Sequence, residues 1–208
     1  MSARLRILLV GASGVLGKAV VTELSPRHEV ISSGSKTGDI RIDIADPASI
    51  DAGMKAAGPL DAVACAAGTF NFLPLSEFKS APIAQSQYGL GLVNKLMGQV
   101  NLALSARDHL KDGGSITLIS GVLGDAPIAS GSSGSMVGGA LAGFVMGSAI
   151  EMPRGIRINL VSPGVFEEAM DAYGPYFRGF DPVPVARAAR GFSRSIEGLE
   201  TGKIYRLY

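Results

Sequence analysis

Apolar runs alternate along this chain with helical-period stretches and with breaks marked by glycine and proline. Leu5 to Val10 is an apolar run of strand length that stops at Gly11, and the helical run GKAVVTEL begins at Gly17. His28 to Ser33 reads as a second strand and Ile40 to Asp43 as a short third. Asp46 and Pro47 open a helix to about Ala57, with Asp46 as N-cap and Pro47 in the first helical position. Asp61 to Ala66 is a fourth strand, ending at Gly68, and a long helical stretch runs from about Pro82 to Leu110. Asp112-Gly113-Gly114 predicts a turn before a fifth strand, Ser115 to Ser120. A glycine-rich helix spans about Ser132 to Glu151, and a sixth strand, Ile156 to Val161, is closed by Ser162-Pro163-Gly164. A helix near Pro184 to Ser195 and a strand from Lys203 to Leu207 complete the series. Strands alternating with helices predict an α/β fold: a doubly wound parallel sheet of about seven strands in three layers. Its ligand crevice would lie at the carboxyl ends of the strands. No linker or repeat interrupts the pattern, so residues 1–208 read as a single domain.

Composition narrows the partners. With 47% hydrophobic and 18% charged residues, the chain suits a compact fold with a buried sheet. A net charge of +1 provides no broad basic footprint, so no nucleic-acid partner is expected. The lone Cys65 excludes an internal disulfide framework and suits a reducing compartment. Its setting, AVACAAG, reads as a buried strand end rather than a reactive thiol. The N-terminus runs directly into the first strand, which leaves no room for a signal peptide and fits a cytoplasmic location. His28 and His109 lack ligand spacing, and no metal site is expected.

The stretch from Ala126 to Ile150 carries no charge and is long enough for a membrane span. It is mostly Gly, Ser and Ala, with few large apolar residues to favour lipid, and no membrane partner is expected. Gly139, Gly143 and Gly147 fall on one helix face. Each weakens the helix by about 1 kcal/mol against Ala, so the face needs a packing reason. A seam between copies in a homodimer or homotetramer is the preferred reason, and contact with the sheet is the other.

The strand–turn–helix unit at residues 5–17 bears the first candidate chemistry. Gly11, Gly14 and Gly17 recur at intervals of three. Gly11 would make the tight turn, Gly14 would let a pyrophosphate approach the backbone, and Gly17 would seat the helix against the strand. Free N–H groups of Ser13, Val15 and Leu16 at the helix start would then face the anion. The remaining alternative is a tight turn without a ligand.

GASGVLG at 11–17, CAAG at 65–68, LISG at 118–121, RINLVSPG at 157–164 and TGKIY at 201–205 together resemble the short-chain dehydrogenase/reductase superfamily. The resemblance covers nearly the whole chain and implies a Rossmann-type fold that binds a nicotinamide dinucleotide. It also implies several contacts. Asp43 and Ile44 would lie by the adenine, although Asp43 also reads as a turn cap. Ala66, Ala67 and Gly68 would lie beside the adenosine ribose, where the family has NNAG. Pro163, Gly164 and Val165 would form the turn that reaches the nicotinamide side. The family's usual glycine turn is GxxxGxG, and GxxGxxG is nearer its atypical branches.

An NAD site calls for an acid about 20 residues past the glycines, to bind the ribose 2′-OH. Here Ser33, Gly34, Ser35, Lys36 and Thr37 provide hydroxyls and a cation, which suit a 2′-phosphate. NADP(H) is therefore favoured over NAD(H), with Ser33, Ser35 and Lys36 as candidate contacts; Lys36 as a solvated loop lysine is the alternative.

The catalytic register departs from the resembled family. ALAGF at 140–144 aligns the family's Tyr-x-x-x-Lys pair with Gly134 and Gly138, and its Ser with Gly121, next to Ser120. No Tyr occurs between Tyr88 and Tyr173. NKLMG at 94–98 sets Lys95 where the family has an Asn, as a replacement cation or as a surface lysine. YGPYF at 173–177 offers Tyr173 or Tyr176 as a proton donor from the substrate loop, or as pocket wall. The candidate catalytic set is Ser120, Lys95 and Tyr173. Two functions follow: an NADP(H)-dependent oxidoreductase acting on a small carbonyl or alcohol with a non-standard proton donor, or an NADP(H)-binding sensor or scaffold without turnover.

Overall fold

The computed structural model describes residues 4–208. Strands β1 (Arg6–Val10), β2 (Glu29–Gly34), β3 (Ile40–Arg41), β4 (Leu60–Cys65), β5 (Leu110–Ile119), β6 (Arg157–Pro163) and β7 (Ile204–Leu207) form one sheet. Its order is β3-β2-β1-β4-β5-β6-β7, parallel throughout. The helices are α1 (Val15–Leu24), α2 (Pro47–Ala57), α3 (Gly98–His109), α4 (Ser132–Ala149), α5 (Met170–Tyr173) and α6 (Val185–Glu197).

Strand alternation divides the core into two. Leu8, Val10, Val63, Cys65, Ile116 and Leu118 point to one face, where Met54 of α2, Leu102 of α3 and Leu141 of α4 cover them. Ile7, Leu9, Ala62, Ala64 and Val161 point to the other, beneath Val20 of α1 and Phe192 of α6. This is the expected three-layer, doubly wound α/β fold. Between β1 and β4 the strand order reverses direction, which is where a doubly wound sheet places its ligand crevice.

Two predicted elements are corrected. The helix expected from Pro82 is absent over its first turns. Pro82 is extended, Ile83–Gln85 is a single 3₁₀ turn, and helical winding toward α3 begins with a π-helical segment, Gly91–Met97. Residues 69–88 instead form a loop closed on itself by Asn71 Nδ2 donating to the Gln87 carbonyl (2.5 Å) and by packing of Phe78 on Tyr88, with Phe70 and Phe72 at its start lining a cavity. The Asp112-Gly113-Gly114 turn is a bulge inside β5: Leu60 pairs with Leu110 and Ala62 with Ser115, so the intervening β5 residues are looped out.

Sheet contact is also excluded as the reason for the α4 glycines. A Cβ at Gly139, Gly143 or Gly147 would meet nothing within 4 Å in this chain. Met136 and Met146 lie exposed on the same helix. No helix among the described residues is long and apolar enough to cross a membrane.

Candidate functional site

The glycine turn has the geometry its spacing predicts. Gly11 has φ +89°, and a Cβ there would lie 2.8 Å from the Ala66 carbonyl carbon. A Cβ at Gly17 would fall 2.0 Å from the Gly11 carbonyl oxygen, so α1 can approach β1 only with glycine at that position. Gly14 differs: its nearest neighbour would be 3.6 Å away, which leaves the cradle open on that side. Ser13, Gly14 and Val15 are exposed, and the first N–H groups of α1 have no intrahelical acceptor. Leu16 contributes only backbone here, since its side chain is buried in the core. The cradle fits a pyrophosphate.

Beside the cradle, Ala12, Ser13, Lys18, Ser32 and Thr37 line a depression between α1 and the end of β2. Thr37 belongs to the loop that the sequence offered for a 2′-phosphate, Lys18 escaped the sequence reading, and Lys36 is not among these residues. The only sequence sign of Lys18 is its place immediately after the third glycine. The loop after β2 also folds back. The Asp39 carboxylate accepts from the Ser32 backbone N–H (2.8 Å) and hydroxyl (2.7 Å), and the hydroxyl bond leads in holding that carboxyl below its usual range. An acid therefore does reach the end of β2, from further along the chain, but it is occupied by Ser32. Ser35 and Lys36 are exposed in this loop. Ser33 is buried, its hydroxyl has no partner, and its carbonyl accepts from Gly11 N (2.7 Å). Asp43 is exposed and accepts from Ala45 N, as a turn cap does, while Ile44 is buried beneath the start of α3.

Past β4, the Ala66–Gly68 segment joins the cradle to a second cavity, of about 300 Å³. Gly68, Lys95, Ser120, Pro163, Gly164, Val165 and Tyr173 all line it, with Phe70, Phe72, Leu123 and Phe177 as apolar wall. Thus the three candidate catalytic side chains, from three distant stretches of chain, share one cavity at the carboxyl ends of β4, β5 and β6. Tyr173 is half-exposed at its edge, where its ring meets Phe72 edge-to-face with centroids 6.3 Å apart. Tyr176 stacks on Phe72 in the same manner at 4.7 Å, and is not a lining residue.

Lys95 lies in the π-helical segment, and its Cα and side chain pack against Gly68, whose φ is +116°. A Cβ at Gly68 would come within 2.8 Å of Lys95 Cγ. Lys95 is half-buried rather than fully solvated: its ammonium lies 5.9 Å from the Phe70 ring centre, and desolvation holds it below the usual lysine range. Buried Gln99, another residue the sequence reading missed, ties this turn to the end of β5. Its Nε2 donates to the carbonyls of Lys95 (3.1 Å) and Ile119 (2.9 Å), and its Oε1 accepts from Ile119 N (2.8 Å). It thereby sets Lys95 relative to Ser120. Cys65 lies fully buried beneath, and its thiol is pushed up to about 11 by that burial.

Gly134 and Gly138, the positions aligned with the family's Tyr and Lys, both line the cavity. Neither is an empty notch. A Cβ at Gly134 would lie 2.8 Å from Phe70 Cε2 and Cζ, and one at Gly138 3.1 Å from Gly124 Cα.

The family model described as enoyl-(acyl carrier protein) reductase matches residues 11–193. The crystal structure of protein lin1944 from Listeria innocua is 44% identical, covers 98% of this chain and all of its own, and superposes with a TM-score of 0.93. A small-chain dehydrogenase in complex with NADPH is 21% identical, over 99% of this chain and 97% of its own, at a TM-score of 0.83. BdcA in complex with NADPH is 20% identical, over 100% and 93%, at 0.82. No curated protein matches the chain.

Proposed function

The chain belongs to the short-chain dehydrogenase/reductase superfamily, a family of oxidoreductases, and on that premise we propose that it is an NADP(H)-dependent oxidoreductase acting on a small carbonyl or alcohol with a proton donor other than the family tyrosine. One observation carries the reading: Lys95 and Ser120 meet the Gly68 and Pro163-Gly164 backbone in a single cavity connected to an open glycine cradle.

The backbone of Gly11, Ser13, Gly14, Val15 and Leu16 would hold the pyrophosphate. Lys18 and Thr37 form the candidate 2′-phosphate side, with Ser35 and Lys36 on the exposed loop beside them, whereas the buried Ser33 hydroxyl is withdrawn from the set; the two NADPH complexes among the similar folds support that choice. Asp43 and Ile44 would flank the adenine, Ala66 to Gly68 the ribose, and Pro163 to Val165 the nicotinamide. When bound, the cofactor supplies or accepts a hydride. The chain's own residues then have three tasks. The Lys95 ammonium supplies positive charge beside the reacting oxygen, the Ser120 hydroxyl orients that oxygen, and the Tyr173 hydroxyl, at the solvent edge, holds a proton. The reading includes a single cytoplasmic domain that associates as a homodimer or homotetramer through the bare glycine face of α4.

The test is a panel of small aldehydes, ketones and alcohols followed by NADPH absorbance. Turnover that falls strongly in Lys95→Ala, and falls in kcat alone in Tyr173→Phe, supports the assignment. Full activity in both variants would remove these residues from the site. A second reading, an NADP(H)-binding sensor or scaffold, is favoured by the Phe70 ring at Gly134, which fills the space beside the family's tyrosine position. NADPH binding without turnover of any substrate would select it.

A further inference from the structure

Lys95 is the only charged side chain on the cavity wall, and among the described residues neither a hydrogen bond nor a carboxylate supports its ammonium. A half-buried ammonium without a counter-charge loses part of its hydration, and a single aromatic face at 5.9 Å, at the outer limit of a cation–π contact, offsets little of that loss. The rest of the wall is largely apolar: Phe72 and Tyr173 meet edge-to-face, and Phe177 and Leu123 line the same cavity. At about 300 Å³ the space is at the small end of ligand cavities.

From this lone cation facing an aromatic wall, we propose that the natural substrate is a small carboxylic acid with an aromatic or branched apolar body, an oxo acid or its hydroxy acid, whose carboxylate pairs with Lys95 Nζ. The proposal rests on the reading of this cavity as the substrate site and specifies that substrate's class. A neutral aldehyde or alcohol would offer the ammonium its reacting oxygen and no counter-charge. A carboxylate supplies the missing counter-charge, and its apolar body covers the aromatic wall.

Phenylacetate and phenylacetamide, which match in shape and differ in charge, test this by calorimetric titration of the full chain without cofactor. Phenylacetate is expected to bind about tenfold tighter or more, as a charge-assisted bond predicts. The preference should vanish in Lys95→Met and in Lys95→Gln, two variants that keep the apolar stem and whose folding is checked by thermal melting. Equal affinities in the wild type, or a preference that survives in both variants, would overturn the proposal. Saturating inorganic pyrophosphate, which would fill the glycine cradle and leave the Lys95 cavity open, should leave phenylacetate binding intact. Competitive displacement by pyrophosphate would put the anion in the cradle and also overturn the proposal. A separate NADPH titration distinguishes the two readings: a chain that ignores NADPH yet keeps the Lys95-dependent carboxylate preference loses the cofactor assignment and retains the acid-binding site.

Discussion

The Phe70 ring fits against the backbone of Gly134, so closely that a Cβ at Gly134 would lie 2.8 Å from two of its ring carbons and 2.9 Å from Leu123 Cδ1. Phe70 comes from the loop after β4 and Gly134 from the first turn of α4, and both line the cavity. The family's tyrosine position is thus occupied from across the site. Gly134→Tyr alone should be destabilising, by about 1–3 kcal/mol of overpacking. The double variant Gly134→Tyr/Phe70→Ala should regain part of that loss by vacating the ring's space. Urea denaturation of the single and double variants checks this; a single variant as stable as the wild type would show that the ring moves freely.

Gly14 has room for a side chain in the protein alone, whereas Gly11 and Gly17 do not. Gly14→Val should therefore fold normally and lose NADPH affinity by roughly ten- to a hundredfold, the same overpacking cost now appearing on binding. Gly17→Val should fail to fold. Unchanged NADPH titration of Gly14→Val would remove the cradle from the cofactor site.

Lys18 lines the depression between α1 and the end of β2, and Lys36 does not. Lys18→Ala should weaken NADPH by about 1.5–3 kcal/mol and NADH far less, as expected for loss of one charged contact to a phosphate. Lys36→Ala should have the same sign and a smaller size. Equal losses for both cofactors in Lys18→Ala would count against the 2′-phosphate assignment.

Glu197, at the end of α6, receives Arg27 Nε at 2.8 Å, the Ser193 hydroxyl at 2.7 Å and His28 Nε2 at 2.8 Å. The Arg27 bond leads these in holding the carboxyl at about 2. A folded pKa below the unfolded value gives stability that is present above the ordinary carboxyl range and lost as pH falls toward 2. The wild type should therefore lose stability between about pH 4.5 and 2. Glu197→Gln should be less stable at pH 7 and show a shallower acid limb. Parallel acid limbs in thermal melts would show that this pairing contributes nothing net.

The Gly139, Gly143 and Gly147 face meets nothing within the chain. If it is a seam between copies, Gly143→Leu should overfill it and yield monomers in sedimentation. If the face is free in solution, Gly143→Ala should simply raise stability, by about 1 kcal/mol of helix propensity. A wild type that sediments as a monomer at micromolar concentration would end the seam reading.

Local chemistry was legible in the sequence. The turn at Gly11, the Asp46 cap donating no proton but accepting from Ala48 N at 2.9 Å, and the alternation that sends Leu8 and Leu9 to opposite faces each depend on residues a few positions apart. Those near neighbours determined the strands, the order of most helices and the cradle, because turn and period signals act over one or two turns of chain. Where the local signal was mixed, it misled. Helical residues after Pro82 suggested continuous helix, yet Gln87 is tied back to Asn71 and Glu77, residues 10 or more positions away that no helical period could indicate.

What tertiary structure decided is the site itself. Asp39 returns to Ser32, Lys18 faces the depression by β2, Gln99 ties the Lys95 turn to the end of β5, and Phe70 fills the Gly134 notch. None of these relations follows from spacing, because each joins residues on separate elements whose approach is set by sheet order and helix packing. The sequence by itself determined a doubly wound sheet with a glycine cradle, and the catalytic residues its family would require but this chain lacks. Only the packed fold decided that Lys95 would be drawn from a helix surface into an apolar cavity. Partial burial against Gly68 and Phe70 strips some of that lysine's hydration and leaves a cation without a counter-charge on the cavity wall.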